Sequence, residues 1–226
     1  MSVLKTVLFR LGLLPLISQA RNGTWKYLGG GYDPKKFWGG WGARFHEKKI
    51  QREIHGGQRW LLEKIRSSKC TRALEIGCGF GRNLDYLTRN LEGRPVFWGL
   101  DISEKMLLKG RRELSAACGL AQGDLQALPF RGERFNLVFT HGVLMHVPPH
   151  ALAGALAEMA RVCGSEILLV EETFWKGIKK RESVNLNGYT FIHDYAGILP
   201  REGFDILESG ESGGPVNMIL LRCRKK

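Results

Sequence analysis

The 226-residue sequence predicts a doubly wound α/β fold. Three observations carry that expectation. From residue 72 onward, short apolar runs of strand length alternate with stretches of helical periodicity. That is the pattern of parallel strands covered on both faces. Directly after the first run, in "ALEIGCGFGRNL" (73–84), glycines stand at alternate positions, Gly77, Gly79 and Gly81. Glycine is used where a backbone turns sharply or a ligand comes close. Near the end, "FDIL" (204–207) and "VNMILLRCR" (216–224) flank the Gly-rich "ESGESGGP". That spacing suits an antiparallel pair at the edge of the sheet.

The elements follow in order. In residues 1–20, Val3, Leu4, Val7, Leu8, Leu11 and Leu14 keep helical spacing, with Lys5 and Arg10 elsewhere on the wheel. The segment predicts an amphipathic helix. A signal-peptide reading ending at Ser18-Gln19-Ala20 is weakened by Arg10 inside the apolar stretch and by Pro15, which shortens the rest. Residues 21–45 are rich in Gly and aromatics, among them Trp25, Tyr27, Tyr32, Phe37, Trp38, Trp41 and Phe45. Aromatics in such a loop-like segment suggest packing over a site or a membrane interface. A helix is predicted over 46–67 from the spacing of Ile50, Ile54, Leu61, Leu62 and Ile65. Strands are predicted at 72–76, 96–101, near Gly123, 135–140 and 166–172, and helices after Gly81 and over 103–117 and 151–162.

Composition narrows the class. Hydrophobic residues make up 43% and charged residues 25%, a globular balance. The formal net charge of +12 favours acidic partners: nucleic acid, an anionic membrane surface, or a phosphorylated or carboxylated substrate. Cys70, Cys78, Cys118, Cys163 and Cys223 are scattered, odd in number and without a C-x-x-C pair. That is neither a zinc pattern nor a disulfide framework, and it suits a reducing, cytoplasmic compartment. No apolar run reaches membrane-spanning length.

The glycine loop excludes two common ligands. A dinucleotide fingerprint needs a glycine at the sixth position, where this sequence has Arg82. A P-loop needs G-K-[ST], which does not follow. The pattern present is E-x-G-x-G-x-G. Glu75, two residues before the loop, repels a pyrophosphate and suits a ligand with a cationic group. Asp101 ends the second predicted strand, placed to accept hydrogen bonds from ribose hydroxyls. Asp124 follows the third strand. A nucleoside with a cationic tail fits this set of acids.

Residues 70–175 resemble class I S-adenosylmethionine-dependent methyltransferases. "LEIGCGFGRNL" is similar to the family's first motif, "GLDIS" with Met106 to the second, "GDLQALPF" to the adenine-side motif and "FNLVFTHGVLMHVPP" to the fourth. The resemblance implies a Rossmann-like, seven-stranded sheet with the last strand antiparallel. It divides the chain into an N-terminal helical and aromatic extension covering the substrate (1–67) and a cofactor-binding domain (68–226). It implies S-adenosylmethionine as cofactor, with Glu75 at the loop and Gly77, Gly79 and Gly81 lining the methionine part. By the same resemblance Asp101 holds the ribose, Ile102 and Met106 flank the adenine, and Asp124 and Leu125 meet its amino edge. Thr140 and His141 then lie beside the sulfonium and the acceptor.

A hydroxyl acceptor calls for a base, and His141, His146 and His193 are the candidates, all near the predicted mouth of the site. His146 lies in "MHVPP", which recurs in the family, so a structural role is the alternative there. The His and acid spacings form no metal-ligand set. "THGV" stands where nucleic-acid amine methyltransferases carry N-P-P-Y. The expected activity is methyl transfer to O or N of a small-molecule or lipid-type acceptor, anionic or membrane-held. Residues 1–20 are the candidate peripheral membrane contact. The alternatives are an RNA methyltransferase using the basic patches around Lys35–Lys49 and 176–181, and a non-catalytic cofactor-binding subunit.

Overall fold

A computed structural model describes residues 32–40, 44, 47, 51, 53–91, 95–114, 118–172, 184–185, 189–213 and 218–226. The predicted helix over 1–20, Trp25, Tyr27, Trp41, Phe45, and the basic residues Lys48, Lys49, Lys176, Lys179, Lys180 and Arg181 lie outside the described residues.

The elements in chain order are α1 (Pro34–Gly39), α2 (Gly56–Ser67), β1 (Arg72–Ile76), α3 (Arg82–Asn90), β2 (Val96–Asp101), α4 (Glu104–Glu113), β3 (Cys118–Gln122) and β4 (Phe135–His141). A 3₁₀ turn (Leu144–His146) leads to α5 (Pro149–Val162), β5 (Cys163–Glu172), β6 (Val184–Asn185), β7 (Phe191–Ile192), α6 (Tyr195–Ile198), β8 (Phe204–Glu211) and β9 (Met218–Lys225). Among the described residues, seven strands form one sheet in the order β3-β2-β1-β4-β5-β9-β8. β3 to β5 are mutually parallel. β9 runs antiparallel to both β5 and β8. The last strand is thus the antiparallel one and lies inside the sheet, with β8 at the edge. Chain order reverses between β1 and β4, the switch point where such sheets bind ligands.

Strand alternation sorts the core into two layers. Leu74, Ile76, Val138, Ile167, Leu169 and Leu221 pack with Leu152, Leu156 and Met159 of α5. Ala73, Phe97, Leu137, Phe139, Leu168 and Val170 pack with Leu61 and Ile65 of α2 and with Leu84 and Leu87 of α3. The same alternation places Glu75 and His141 on the α2/α3 side, and Thr140 and Glu171 on the α5 side.

Two predicted boundaries move. The helix predicted from residue 46 starts at Gly56. His55 is extended there (φ −103°, ψ 172°), and its N–H donates to Gln58 Oε1 at 2.8 Å, so the helix is capped from within its own first turn. The helix predicted over 103–117 ends at Glu113, where the Leu114 N–H closes onto Gly110 O at 2.8 Å and Leu114 itself turns extended.

Candidate active site

The glycine loop leaves β1 in a shape that glycine alone adopts without strain. Gly77, Gly79 and Gly81 have φ of +69°, +56° and +86°. The surroundings also leave no room at two of them. A Cβ on Gly77 would lie 2.4 Å from Val143 Cγ2, and one on Gly81 would lie 2.4 Å from Leu114 Cδ1. The loop is tied to the neighbouring strand. Gly77 and Cys78 N–H both donate to Leu100 O, at 2.7 and 3.0 Å. Gly79 N–H donates to Asp101 Oδ2 at 2.7 Å, and Ser103 N–H to Asp101 Oδ1 at 2.8 Å. Each carboxylate oxygen keeps acceptor capacity beyond these bonds. Burial nevertheless raises the Asp101 pKa against the pull of those amides.

Glu75 lies beneath the loop, 1% exposed. Asn83 Nδ2 donates to its Oε1 at 2.5 Å, while among the described residues Oε2 and Asn83 Oδ1 are buried without a hydrogen-bond partner. Burial pushes the Glu75 carboxyl up to about 8, against the opposing effects of Asn83 and Arg82. Met106 is buried, its Cε 3.2 Å from where a Gly79 Cβ would be. Ile102 is half-buried beside Asp101, and Leu125 is buried. Asp124 is exposed, its Oδ1 accepting from Gln126 N–H at 2.9 Å in a tight turn.

At the end of β4, Thr140 is fully buried, with no well-aligned partner for its hydroxyl. His141 faces α2 instead. Its Nε2 is buried, without a hydrogen-bond partner among the described residues, and 3.0 Å from the position of a Gly57 Cβ. Burial, then the charge of Arg82, lowers the His141 pKa to about 4, so its imidazole is neutral at physiological pH.

The other two histidines belong to a separate aromatic group. His146 Nδ1 donates to Tyr189 O at 2.8 Å, its ring 4.7 Å from Trp38 and stacked on Tyr189. Burial lowers its pKa to about 4. Phe37 of α1 stacks on Tyr189 at 4.6 Å, and Trp38 Nε1 donates to Tyr32 Oη at 3.0 Å. His193 is 1% exposed, and its Nε2 faces two carbonyls, Leu144 O at 3.1 Å and Val147 O at 3.0 Å. Nε2 therefore carries the proton and braces the 3₁₀ turn. The structure thus brings Glu75, the three glycines, Asp101 and Met106 together with His141 near the switch point. It sets His146 and His193 apart, between that turn and the 189–193 segment.

Residues 73–166 match the family model described as a methyltransferase domain. That stretch is similar to a methyltransferase domain, in keeping with the resemblance of its motifs to class I S-adenosylmethionine-dependent methyltransferases. Its relatives include a malonyl-[acyl-carrier protein] O-methyltransferase of Erwinia pyrifoliae, 33% identical over 56% of this chain and 46% of the relative. A demethylmenaquinone methyltransferase of Shouchella clausii is 34% identical over 45% of each chain. The chain thus spans less than half the length of these curated relatives. Among solved structures it is similar to magnesium protoporphyrin IX methyltransferase from Synechocystis with S-adenosylhomocysteine bound (TM-score 0.65, 18% identity), covering 85% of this chain and 98% of that one. At that identity the likeness is one of fold.

The residues around the loop fit the cofactor of the family that this stretch resembles. The positive-φ glycines let the backbone turn closely past the end of β1, with Val143, Met106 and Leu114 packed where side chains of its own would stand. A buried polar atom there, Glu75 Oε2, has no hydrogen-bond partner among the described residues and suits the ammonium of an amino-acid tail. Asp101 stands at the end of β2 with acceptor capacity to spare.

Sequence reasoning missed the contribution of α2. Gly57 lets that helix touch Val170 and His141, and Gln58 is fully buried with its Nε2 unpaired. A Gly-Gly pair before a periodic stretch is the signal that was available. Among the described residues no group of three or more His, Cys, Asp or Glu is placed to hold a metal ion. No described helix is long and apolar enough to cross a membrane.

Proposed function

We propose that the chain transfers a methyl group from S-adenosylmethionine to an O or N of a small-molecule or lipid-type acceptor. The observation that carries this reading is the glycine loop, held in the left-handed region that glycine alone adopts freely and flanked by buried Glu75 and by Asp101. The cofactor supplies a methyl group already activated on a sulfonium. The chain's own residues supply placement and exclusion of water. Gly77, Gly79 and Gly81 hold the methionine part, Asp101 the ribose, and Ile102, Met106, Asp124 and Leu125 the adenine. Thr140 and His141 border the acceptor. Neutral His141 offers Nε2 at the end of β4 as the proton acceptor for a hydroxyl nucleophile. His146 and His193 hold the acceptor-side turn in place.

The acceptors for which the relatives are named support a small or lipid-type acceptor: malonyl-[acyl-carrier protein], demethylmenaquinone, and phthiotriol dimycocerosates in Mycobacterium ulcerans. The aromatic group of Tyr32, Trp38 and Tyr189 offers an apolar wall beside the turn. The test is transfer of labelled methyl from S-adenosylmethionine to fractionated extracts. Label is expected in organic-soluble or acidic small molecules. Label confined to RNA, together with a selective RNA complex that survives physiological salt, would replace this reading with the RNA one.

We also propose that residues 1–20 bring the enzyme to a membrane surface, from their aliphatic stripe and basic residues. Deleting them is expected to abolish co-sedimentation with anionic liposomes at low salt and to leave the melting temperature near its starting value. A full-length chain that fails to sediment refutes it.

A further inference from the structure

Glu171 is a buried carboxylate that cofactor binding does not use. It ends β5, is fully buried, and spends both oxygens on the backbone that follows β4. Val143 N–H donates to Oε1 and Oε2 at 3.2 and 3.1 Å, and Met145 N–H to Oε2 at 3.2 Å. These amides open the 3₁₀ turn Leu144–His146. Two of the turn's carbonyls, Leu144 O at its first residue and Val147 O just past its last, are taken by His193 Nε2. The turn is therefore clasped from both sides by side chains of other elements, which satisfies backbone groups that burial would otherwise leave unpaired. Between the two clasps, Val143 presses its methyls onto the glycine loop. Its Cγ2 lies 2.4 Å from where a Cβ on Gly77 would be.

We propose that Glu171 is a positioning residue: by fixing Val143 against Gly77 it sets the shape of the glycine loop that receives the cofactor. The inference rests on the cofactor reading above but concerns a residue outside the binding set. Its surroundings concentrate the effect. Thr140 on β4 approaches the carboxylate, and Tyr195 of α6, whose hydroxyl is buried without a hydrogen-bond partner, senses its charge and that of Glu172. Water has no access to replace a lost oxygen.

The test uses the full chain with Glu171→Ala, the milder Glu171→Gln, and Leu156→Ala, a fully buried residue of α5 whose loss destabilises the fold without removing a hydrogen bond to the turn. The first readout needs no ligand: the amide resonances of Gly77, Gly79 and Gly81 in cofactor-free protein. They are expected to shift in Glu171→Gln and to hold in Leu156→Ala. The second is the Kd for S-adenosylhomocysteine by calorimetry. It is expected to rise about tenfold or more in Glu171→Ala, less in Glu171→Gln, which keeps one carbonyl acceptor, and under about twofold in Leu156→Ala. If Glu171→Ala does not fold, Glu171→Gln carries both readouts. Unmoved loop resonances in Glu171→Gln, or affinities that follow melting temperature equally in all three variants, overturn the proposal. A wild-type chain that binds no S-adenosylhomocysteine refutes the cofactor reading instead, and the resonances still decide the role of Glu171.

Discussion

Glu75 is a carboxyl that its surroundings keep uncharged until a cation arrives. Burial holds its pKa near 8, and among the described residues its one hydrogen-bond donor is the amide of Asn83. A ligand bearing an ammonium and a sulfonium reverses that balance and favours the ionised form. Binding of S-adenosylmethionine near pH 7 is therefore expected to release about one proton, seen as a dependence of calorimetric enthalpy on buffer ionisation. Glu75→Gln should abolish that release. Release that persists in the variant would place the titrating group elsewhere. Asp101 is expected to act differently, through hydrogen bonds to the ribose. Asp101→Ala removes a charged acceptor, a loss of roughly 1.5–3 kcal/mol, or about 10- to 150-fold in cofactor affinity. Unchanged affinity would refute the ribose assignment. Glu75 and Asp101 were both legible in the sequence because each sits at a fixed distance from the glycine loop. Glu171 was visible only as an acid ending a strand. Its capture of the Val143 and Met145 amides depends on how β5 lies beside β4, and the local sequence does not encode that.

At the level of elements, strands were read more faithfully than helices. "RALEI" and "VFWGLD" are β1 and β2 residue for residue, since burial on both faces makes continuous apolar runs with sharp ends. Helix ends depend on caps. The start of α2 was placed ten residues early because Ile50 and Ile54 continue the helical period past the true start, while the cap is made by His55 and Gln58, an unusual pair. The misreading hid a contact that matters to the site. Gly57 is where α2 rests on the sheet, since a Cβ there would meet Val170 Cγ1 at 2.5 Å and His141 Nε2 at 3.0 Å. Gly57→Ala gains helix propensity, about 1 kcal/mol at best. It also forces α2 off the ends of β4 and β5, at an overpacking cost of about 1–3 kcal/mol. The clash is expected to win, lowering the urea midpoint at constant m-value. A midpoint that rises would show that α2 can slide without loss.

For the whole molecule, the buried titratable groups of the site oppose one another, and their balance sets a pH dependence of stability. His141 and His146 are held at about 4, and His193 is also lowered, all chiefly by burial. The unfolded chain binds these protons more readily, so their contribution is complete above about pH 6.5 and is lost as pH falls toward 4. Glu75 and Glu171 are raised, to about 8 and about 7, again by burial. Here the folded chain keeps the protons, so their contribution is complete below about pH 4.5 and is lost as pH rises through 7 to 8. Between about pH 4.5 and 6.5 the two sets pull in opposite directions and largely offset. Above 6.5 the histidines are neutral in both states, and only the carboxyls still act. The stability of the cofactor-free protein is therefore expected to be nearly level on the acid side of 6.5. It should then fall by an amount on the order of 2 kcal/mol by pH 8. Urea midpoints at pH 5.5, 6.5 and 8 read this directly, and Glu75→Gln should flatten the alkaline limb. Saturating S-adenosylmethionine should flatten it too, because a cation beside Glu75 removes the reason for the carboxyl to hold its proton. Wild-type stability that stays level from pH 6.5 to 8 would mean that the two carboxyls are already ionised in the folded chain.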